Sequence, residues 1–220
     1  MSGQWSVPEG RGPLSFAPAD RTDVAEGGPV AFLDRDGTLN EGIAEVDSQL
    51  LESPLSVEDV RLIPGAAMAA EALTEAGYAL VCVTNQPAAA KGKVSIGELL
   101  AVHQRVVELL AREGVRLAVS LLCPHHPAGV IDELSGPCDC RKPAPGMLLH
   151  AAGAQGAELG ASWMLGDTDA DVRAGRLAGC RTVLIEYPGS AHKRSAEASP
   201  DLRAADLLDA VAKVLDHKRG

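Results

Sequence analysis

The sequence predicts an α/β fold, a single doubly wound, Rossmann-like parallel sheet over residues 29–220. Three observations predict it. Short β-rich runs alternate with helical patterns along most of the chain, and strand–helix–strand order implies parallel pairing through right-handed crossovers. A length of 220 residues suits one sizeable domain, and 46% hydrophobic residues supply its core. Finally, acids, hydroxyls and a lysine gather just after the β-rich runs, where the carboxyl ends of parallel strands form one ligand-binding rim.

Each element has a local reason. Residues 1–28 mix Pro, Gly and charges without periodicity and read as a flexible leader. The first strand is expected at 29–33 (PVAFL). Pro64-Gly65 then opens a helix at about 66–76 that Gly77 ends. A second strand at 79–83 (ALVCV) precedes a helix at 95–113, where Ser95 and Glu98 have capping-box spacing and Gly114 closes the last turn. Further strands are expected at 117–122, 162–165 (SWML) and 181–185 (RTVLI), with helices at 145–155, 169–178 and 204–216. The polar stretch 187–203 reads as a surface loop.

Composition excludes several function classes. A formal charge of −10 and only 3% aromatic residues disfavour a nucleic acid partner. No run of about 18 apolar residues exists, so no membrane span is expected. The amino-terminal stretch lacks an apolar signal-peptide core, and a cytoplasmic location is expected. Oligomeric state is left open, and a monomer is compatible with everything above.

The run Val30 to Leu39, VAFLDRDGTL, sets two acids directly after an apolar strand. Residues i and i+2 of an extended segment point to the same side, so Asp34 and Asp36 repel unless a cation or shared proton intervenes. They read either as turn-formers near Gly37 or as ligands of Mg²⁺, a hard ion that takes carboxylate and phosphate oxygens. Three other strand ends favour the second reading. Thr84-Asn85-Gln86 follows the second strand, Arg141-Lys142-Pro143 precedes a helix, and Gly166-Asp167-Thr168-Asp169-Ala170-Asp171 follows the fourth strand. Acids for a cation, a hydroxyl for phosphate oxygens and a lysine to spread charge are what phosphoryl transfer needs.

Taken together, the DxDGT of residues 34–38, Thr84, Lys142 and the GDxxxD of 166–171 resemble the haloacid dehalogenase superfamily of phosphatases. The resemblance implies that Asp34 is the nucleophile and Asp36 the general acid and base. It also implies that Mg²⁺ is held by Asp34, the backbone carbonyl of Asp36 and Asp167, and that Thr84 and Lys142 bind the transferring group. Asn85, Gln86 and Arg141 join them as candidate substrate-binding residues for a small phosphorylated metabolite. Asp171 reads either as an orienter of Lys142 or as a plain helix N-terminal acid. Arg35, pointing to the opposite side, need not take part.

Three of the five cysteines lie within eighteen residues, an arrangement unlike a disulfide framework. Cys123 and His125 are separated by twelve residues from Cys138 and Cys140, and two short spacings of soft ligands fit a closed tetrahedral Zn²⁺ site, with His126 as the other possible histidine ligand and the spacing favouring His125. With no position left for water, this zinc reads as structural, fixing loop 123–140 whose exit places Lys142. Cys82 and Cys180 read as buried hydrophobes. His103, His150, His192 and His217 are expected on the surface.

CPHHP followed by CDCRKPAPGM looks like the branch of that superfamily containing the heptose bisphosphate and histidinol phosphate phosphatases. This branch lacks a large cap domain, and about thirty residues between the first strand and first helix leave no room for one. The pattern departs at Glu41 to Ala44, at Pro87 to Gly92 and at Thr168, positions that bear on the substrate. The expected activity is Mg²⁺-dependent hydrolysis of a heptose 1,7-bisphosphate at its 7-phosphate, with histidinol phosphate or another sugar phosphate as alternative. A polynucleotide 3′-phosphatase shares the acid motif but not the charge balance, and a non-catalytic zinc-stabilised binding module would not be expected to keep Asp34, Asp36, Thr84, Lys142 and Asp167 together.

Overall fold

The computed structural model describes residues 3–8, 10–19, 27–44, 51–195 and 197–219. In chain order the strands are β1 (Gly3–Ser6), β2 (Leu14–Pro18), β3 (Val30–Leu33), β4 (Ile43–Ala44), β5 (Leu51–Glu52), β6 (Ala79–Asn85), β7 (Val119–Cys123), β8 (Trp163–Gly166), β9 (Arg181–Ile185) and β10 (Leu202–Ala204). The helices are α1 (Ala66–Glu75), α2 (Ile96–Arg112), α3 (Gly146–Gln155), α4 (Asp169–Ala178) and α5 (Leu207–Arg219). Eight strands make one sheet in the order β1-β2-β7-β6-β3-β8-β9-β10, parallel from β7 through β10.

Alternation along the central strands explains why helices cover both faces. On one side Ala31 and Leu33 of β3 pack with Leu80, Leu165 and Val183 against Leu73 of α1, Val106 and Leu110 of α2, and Val211 and Val214 of α5. On the other, Val30 and Phe32 pack with Val81, Val83 and Met164 against Met147 and Leu148 of α3 and Ala174 of α4. Both pleat faces are apolar, as buried parallel strands require. Ser95 caps α2 through the reciprocal capping box with Glu98.

Three expectations are corrected. The segment read as a flexible leader contributes β1 and β2, which extend the sheet antiparallel to β7, while residues 1–2, 9 and 20–26 lie outside the described part. Leu14 and Phe16 are buried, and Trp5 packs on Phe16 with ring centroids 4.7 Å apart. A buried Phe contributes roughly 1.5–3 kcal/mol toward holding the strand in place. His103 is buried too, its ring edge-on to Trp5 and Phe16, because the added strands cover the α2 face that would otherwise meet solvent. Burial pushes its pKa down to about 3, so it stays neutral. Within 187–203, a 3-10 turn at Pro188–Lys193 and strand β10, paired with β9, replace the expected plain loop.

Candidate active site

The carboxyl ends of β3, β6 and β8 and the segment after β7 meet at one cavity of about 350 Å³, lined by Asp34, Asp36, Thr84, Asn85, Arg141, Lys142 and Asp167 among others. Asp34 continues the sheet, its N–H donating to the Leu165 carbonyl at 2.9 Å. Its Oδ1 accepts a hydrogen bond from the buried Lys142 ammonium at 2.7 Å. Lys142 also donates to the Val83 carbonyl at 2.7 Å and pairs with Asp171 at 2.6 Å. Two of the ammonium contacts, to Asp34 and to the Val83 carbonyl, are hydrogen bonds, and the third, to Asp171 Oδ1, is an ion pair. Burial works to lower the Lys142 pKa, but Asp171 and Asp34 overcome it and hold the pKa above the ordinary lysine value.

Asp36 faces a different set of partners. Arg35 spans its carboxylate at 3.2 Å from Nε to Oδ1 and 3.0 Å from Nη2 to Oδ2. Asn40 donates at 2.8 Å, Ser53 at 2.8 Å and Gln86 at 2.6 Å. Burial alone would raise Asp36, but the Arg35 guanidinium and these hydrogen bonds win and hold its carboxyl below the usual carboxylate range. The reading that Arg35 points to the opposite side is thus corrected. Although its position follows Asp34 on the opposite side, the turn after β3 brings the guanidinium back alongside Asp36.

Asp34, Asp167 and Asp171 bring carboxylate oxygens within 4.8 Å of one another. Burial, partly offset by Lys142, raises Asp34 to about 6, with the charge of Asp171 adding to the rise. Burial and the charges of Asp34 and Asp171 raise Asp167 to about 8. Asp167 Oδ1 is buried with no hydrogen-bond partner among the described residues. Crowded hard oxygen donors, one of them orphaned, fit a divalent cation such as Mg²⁺. Gly37 allows this approach. Its φ of +86° is left-handed, and a Cβ there would lie 2.1 Å from Asp167 Oδ2.

Thr84 accepts from Gln86 Nε2 at 2.9 Å, and Gln86 thereby joins Thr84 to Asp36. Asn85 clamps the Lys142 backbone, donating to its carbonyl at 2.9 Å and accepting from its N–H at 3.0 Å. Of the three polar residues at the end of β6, Gln86 and Asn85 use their amides on neighbouring residues of the cavity. Arg141 donates to the His125 carbonyl at 3.2 Å and so ties the cavity to the cysteine loop.

In that loop Cys123, His125, Cys138 and Cys140 form one group able to hold a metal. Cys123 Sγ lies 3.6 Å from His125 Nδ1 and 3.6 Å from Cys138 Sγ, while Cys140 Sγ lies 3.4 Å from His125 Nδ1 and 3.6 Å from Cys138 Sγ. With Zn–S of about 2.3 Å and Zn–N of about 2.0–2.1 Å, a tetrahedral site has S···S edges of ~3.8 Å and S···N edges of ~3.6 Å. The spacing fits zinc.

Sequence comparison decides the family. The chain is 36% identical over 82% of its length, and 92% of the relative's, to D-glycero-beta-D-manno-heptose-1,7-bisphosphate 7-phosphatase of Yersinia pestis. The chain belongs to the haloacid dehalogenase superfamily of phosphatases. The Escherichia coli K12 enzyme of the same name is 35% identical over 86% of the chain and 97% of that enzyme. A HAD-hydrolase-like family model matches residues 139–212. Among solved structures, the D,D-heptose 1,7-bisphosphate phosphatase of B. bronchiseptica, crystallised with magnesium and phosphate, aligns with a TM-score of 0.70 at 27% identity, covering 86% of this chain and 99% of that one.

For this phosphatase, the expected strand ends meet at the cavity, while several supporting residues were left unassigned by the sequence. Both readings of Asp171 have a counterpart in the structure: it pairs with Lys142 at 2.6 Å, and its other oxygen accepts from the Thr168 N–H at 3.0 Å as the acid of the helix cap. Ser190 donates to the Asp167 carbonyl at 3.1 Å and Arg194 does so at 3.2 Å. Ser53 and Asn40 complete Asp36. The GDxxxD spacing was a usable signal for Asp171. Ser53, Ser190 and Arg194 reach the site from loops, and no local pattern marks them.

Proposed function

We propose that this phosphatase hydrolyses a heptose 1,7-bisphosphate at its 7-phosphate through an aspartyl-phosphate on Asp34. One observation carries the mechanism: Asp34 is held end-on by a buried lysine while Asp36, two residues on, is held by a separate set of donors. One carboxylate is thereby aimed for bonding to phosphorus and the other kept for moving protons. The relatives' names support the substrate.

Asp34 Oδ attacks phosphorus, and the sugar alkoxide leaves with a proton from Asp36. In the second half, Asp36 takes a proton from water as the water attacks the aspartyl-phosphate, releasing phosphate and regenerating Asp34. The resting environment keeps Asp36 ionised, the form the second half requires. Entry of a phosphate dianion beside it raises its proton affinity, the form the first half requires. Lys142 and Thr84 bind the phosphoryl oxygens, and Asn85 fixes the lysine's backbone.

Mg²⁺ would be held by Asp34, Asp167 and the backbone carbonyl of Asp36, where it would neutralise the repulsion between nucleophile and phosphate. Zn²⁺ would be held by Cys123, His125, Cys138 and Cys140 with no open position, and its contribution is to fix the loop that delivers Arg141 and Lys142. The test is phosphate release from heptose 1,7-bisphosphate, histidinol phosphate and other sugar phosphates, with and without Mg²⁺. Release from the heptose substrate is expected to be fastest and Mg²⁺-dependent. Equal or faster release from histidinol phosphate would overturn the substrate assignment.

A further inference from the structure

At the inner end of the cavity Asp34, Thr84 and Lys142 are all nearly inaccessible to solvent. The rim is built differently. Lys193 Nζ lies 3.6 Å from Glu52 Oε2, with their side chains 39% and 42% exposed, and both residues line the same cavity as Asp34. This ion pair joins two separate segments across the opening. Glu52 ends β5, and the next residue, Ser53, holds Asp36 at 2.8 Å. Lys193 ends the 3-10 turn at Pro188–Lys193, which is anchored on the Asp167 carbonyl by Ser190 at 3.1 Å and followed at once by Arg194, bonded to the same carbonyl at 3.2 Å.

Both partners are thus braced, through their chain neighbours, on the acids of the reaction centre. A half-exposed pair of this length contributes little to folding. Its placement therefore invites a role in recognition. Before substrate enters, Glu52 neutralises Lys193. A second phosphate on the substrate, carrying up to two charges, competes favourably with a single carboxylate for that ammonium.

We propose that Lys193 is a specificity-determining residue that binds a second anionic group of the substrate at the rim, exchanging Glu52 for it, so that doubly phosphorylated substrates are preferred over monoesters. This inference rests on the phosphatase reading and deepens it. Glu52 sets the threshold: a weakly charged or neutral distal group cannot displace it from Lys193.

The test compares kcat/KM for phosphate release within two pairs, heptose 1,7-bisphosphate against heptose 7-phosphate and fructose 1,6-bisphosphate against fructose 6-phosphate. The wild-type enzyme is expected to favour the bisphosphate. Lys193→Gln should cut that preference by about tenfold, mostly through KM, the range for losing one charge-assisted contact at a partly exposed site, and Glu52→Gln should increase it. Thermal melting establishes that both variants are folded, as substitutions at half-exposed positions should be. A preference that survives Lys193→Gln, or a wild type with no preference for the bisphosphate in either pair, overturns the inference. The heptose assignment fails separately, if the heptose pair is turned over no better than the fructose pair. Turnover of neither pair overturns both.

Discussion

Replacing Lys142 by methionine keeps most of the side-chain volume and removes one buried charge. In the native protein the ammonium meets Asp34 at 2.7 Å, Asp171 at 2.6 Å and the Val83 carbonyl at 2.7 Å. With an effective dielectric of about 20, each ion pair is worth roughly 6 kcal/mol of Coulomb energy, set against several kcal/mol for desolvating each ion. Removing one member of such a cluster strands the others, and the net loss expected is ~3–5 kcal/mol. In a chain of this size that lowers Tm by about 10 °C.

The sign of the pH dependence follows from the same contacts. Lys142 is one of the influences that lower Asp34, whose pKa already stands at about 6, so its loss lifts Asp34 further. Near neutral pH the variant must bury repelling carboxylates, and protonation relieves them as pH falls. The deficit measured by urea denaturation in Mg²⁺-free buffer should therefore be largest near pH 7.5 and shrink by about pH 5. A variant within about 1 kcal/mol of the parent near pH 7.5, or a deficit that grows on acidification, would refute this account of the buried cluster.

Other predictions test neighbouring parts. Cys138→Ser should release bound zinc on elemental analysis and lower both Tm and turnover, because the loop ending in Arg141 and Lys142 loosens; a variant that keeps its melting temperature and activity contradicts the structural-metal assignment. Gly37→Ala imposes a left-handed backbone on a residue with a Cβ, costing ~1–2 kcal/mol, and pushes Asp167 aside, so the Mg²⁺ concentration for half-maximal activity should rise at least ~10-fold in a titration. In Mg²⁺-free protein, Asp34 and Asp167 have pKa values raised to about 6 and 8, so the folded state binds more protons than the unfolded one. Metal-free stability should accordingly fall as pH rises through this range, and added Mg²⁺ should recover it most at the alkaline end; calorimetry at several pH values checks both.

What could be read in the sequence was what short-range pattern encodes. The apolar runs of β3, β6, β8 and β9 and the capping box of α2 are local signals, and acids at the end of an apolar run mark a rim because a parallel sheet aligns its strand ends. Leu14-Ser-Phe-Ala-Pro18 carries a period-two alternation, with Leu14, Phe16 and Pro18 buried, yet its Gly- and Pro-rich flanks hid a strand that exists only by pairing with β7, over a hundred residues away. His103 was misread for the same reason: its cover, Trp5 and Phe16, belongs to those strands. At the site, Asp34, Thr84, Lys142 and Asp167 were legible from their strand ends, whereas Arg35 meets Asp36 only through the turn after β3, and Ser53, Ser190 and Arg194 reach the acids from segments distant in sequence. Asn85 and Gln86 were found as site residues, but only the tertiary structure distinguishes holding a neighbour from facing the cavity.

The most direct test of the central claim is a rapid acid quench of the enzyme turning over heptose 1,7-bisphosphate labelled in the 7-phosphate, followed by peptide mapping. The account predicts labelled phosphate on the peptide containing Asp34, discharged by hydroxylamine, and none in Asp34→Asn, which should remain folded and lose essentially all phosphate release. Undiminished turnover by Asp34→Asn, or label on a peptide without Asp34, would contradict it.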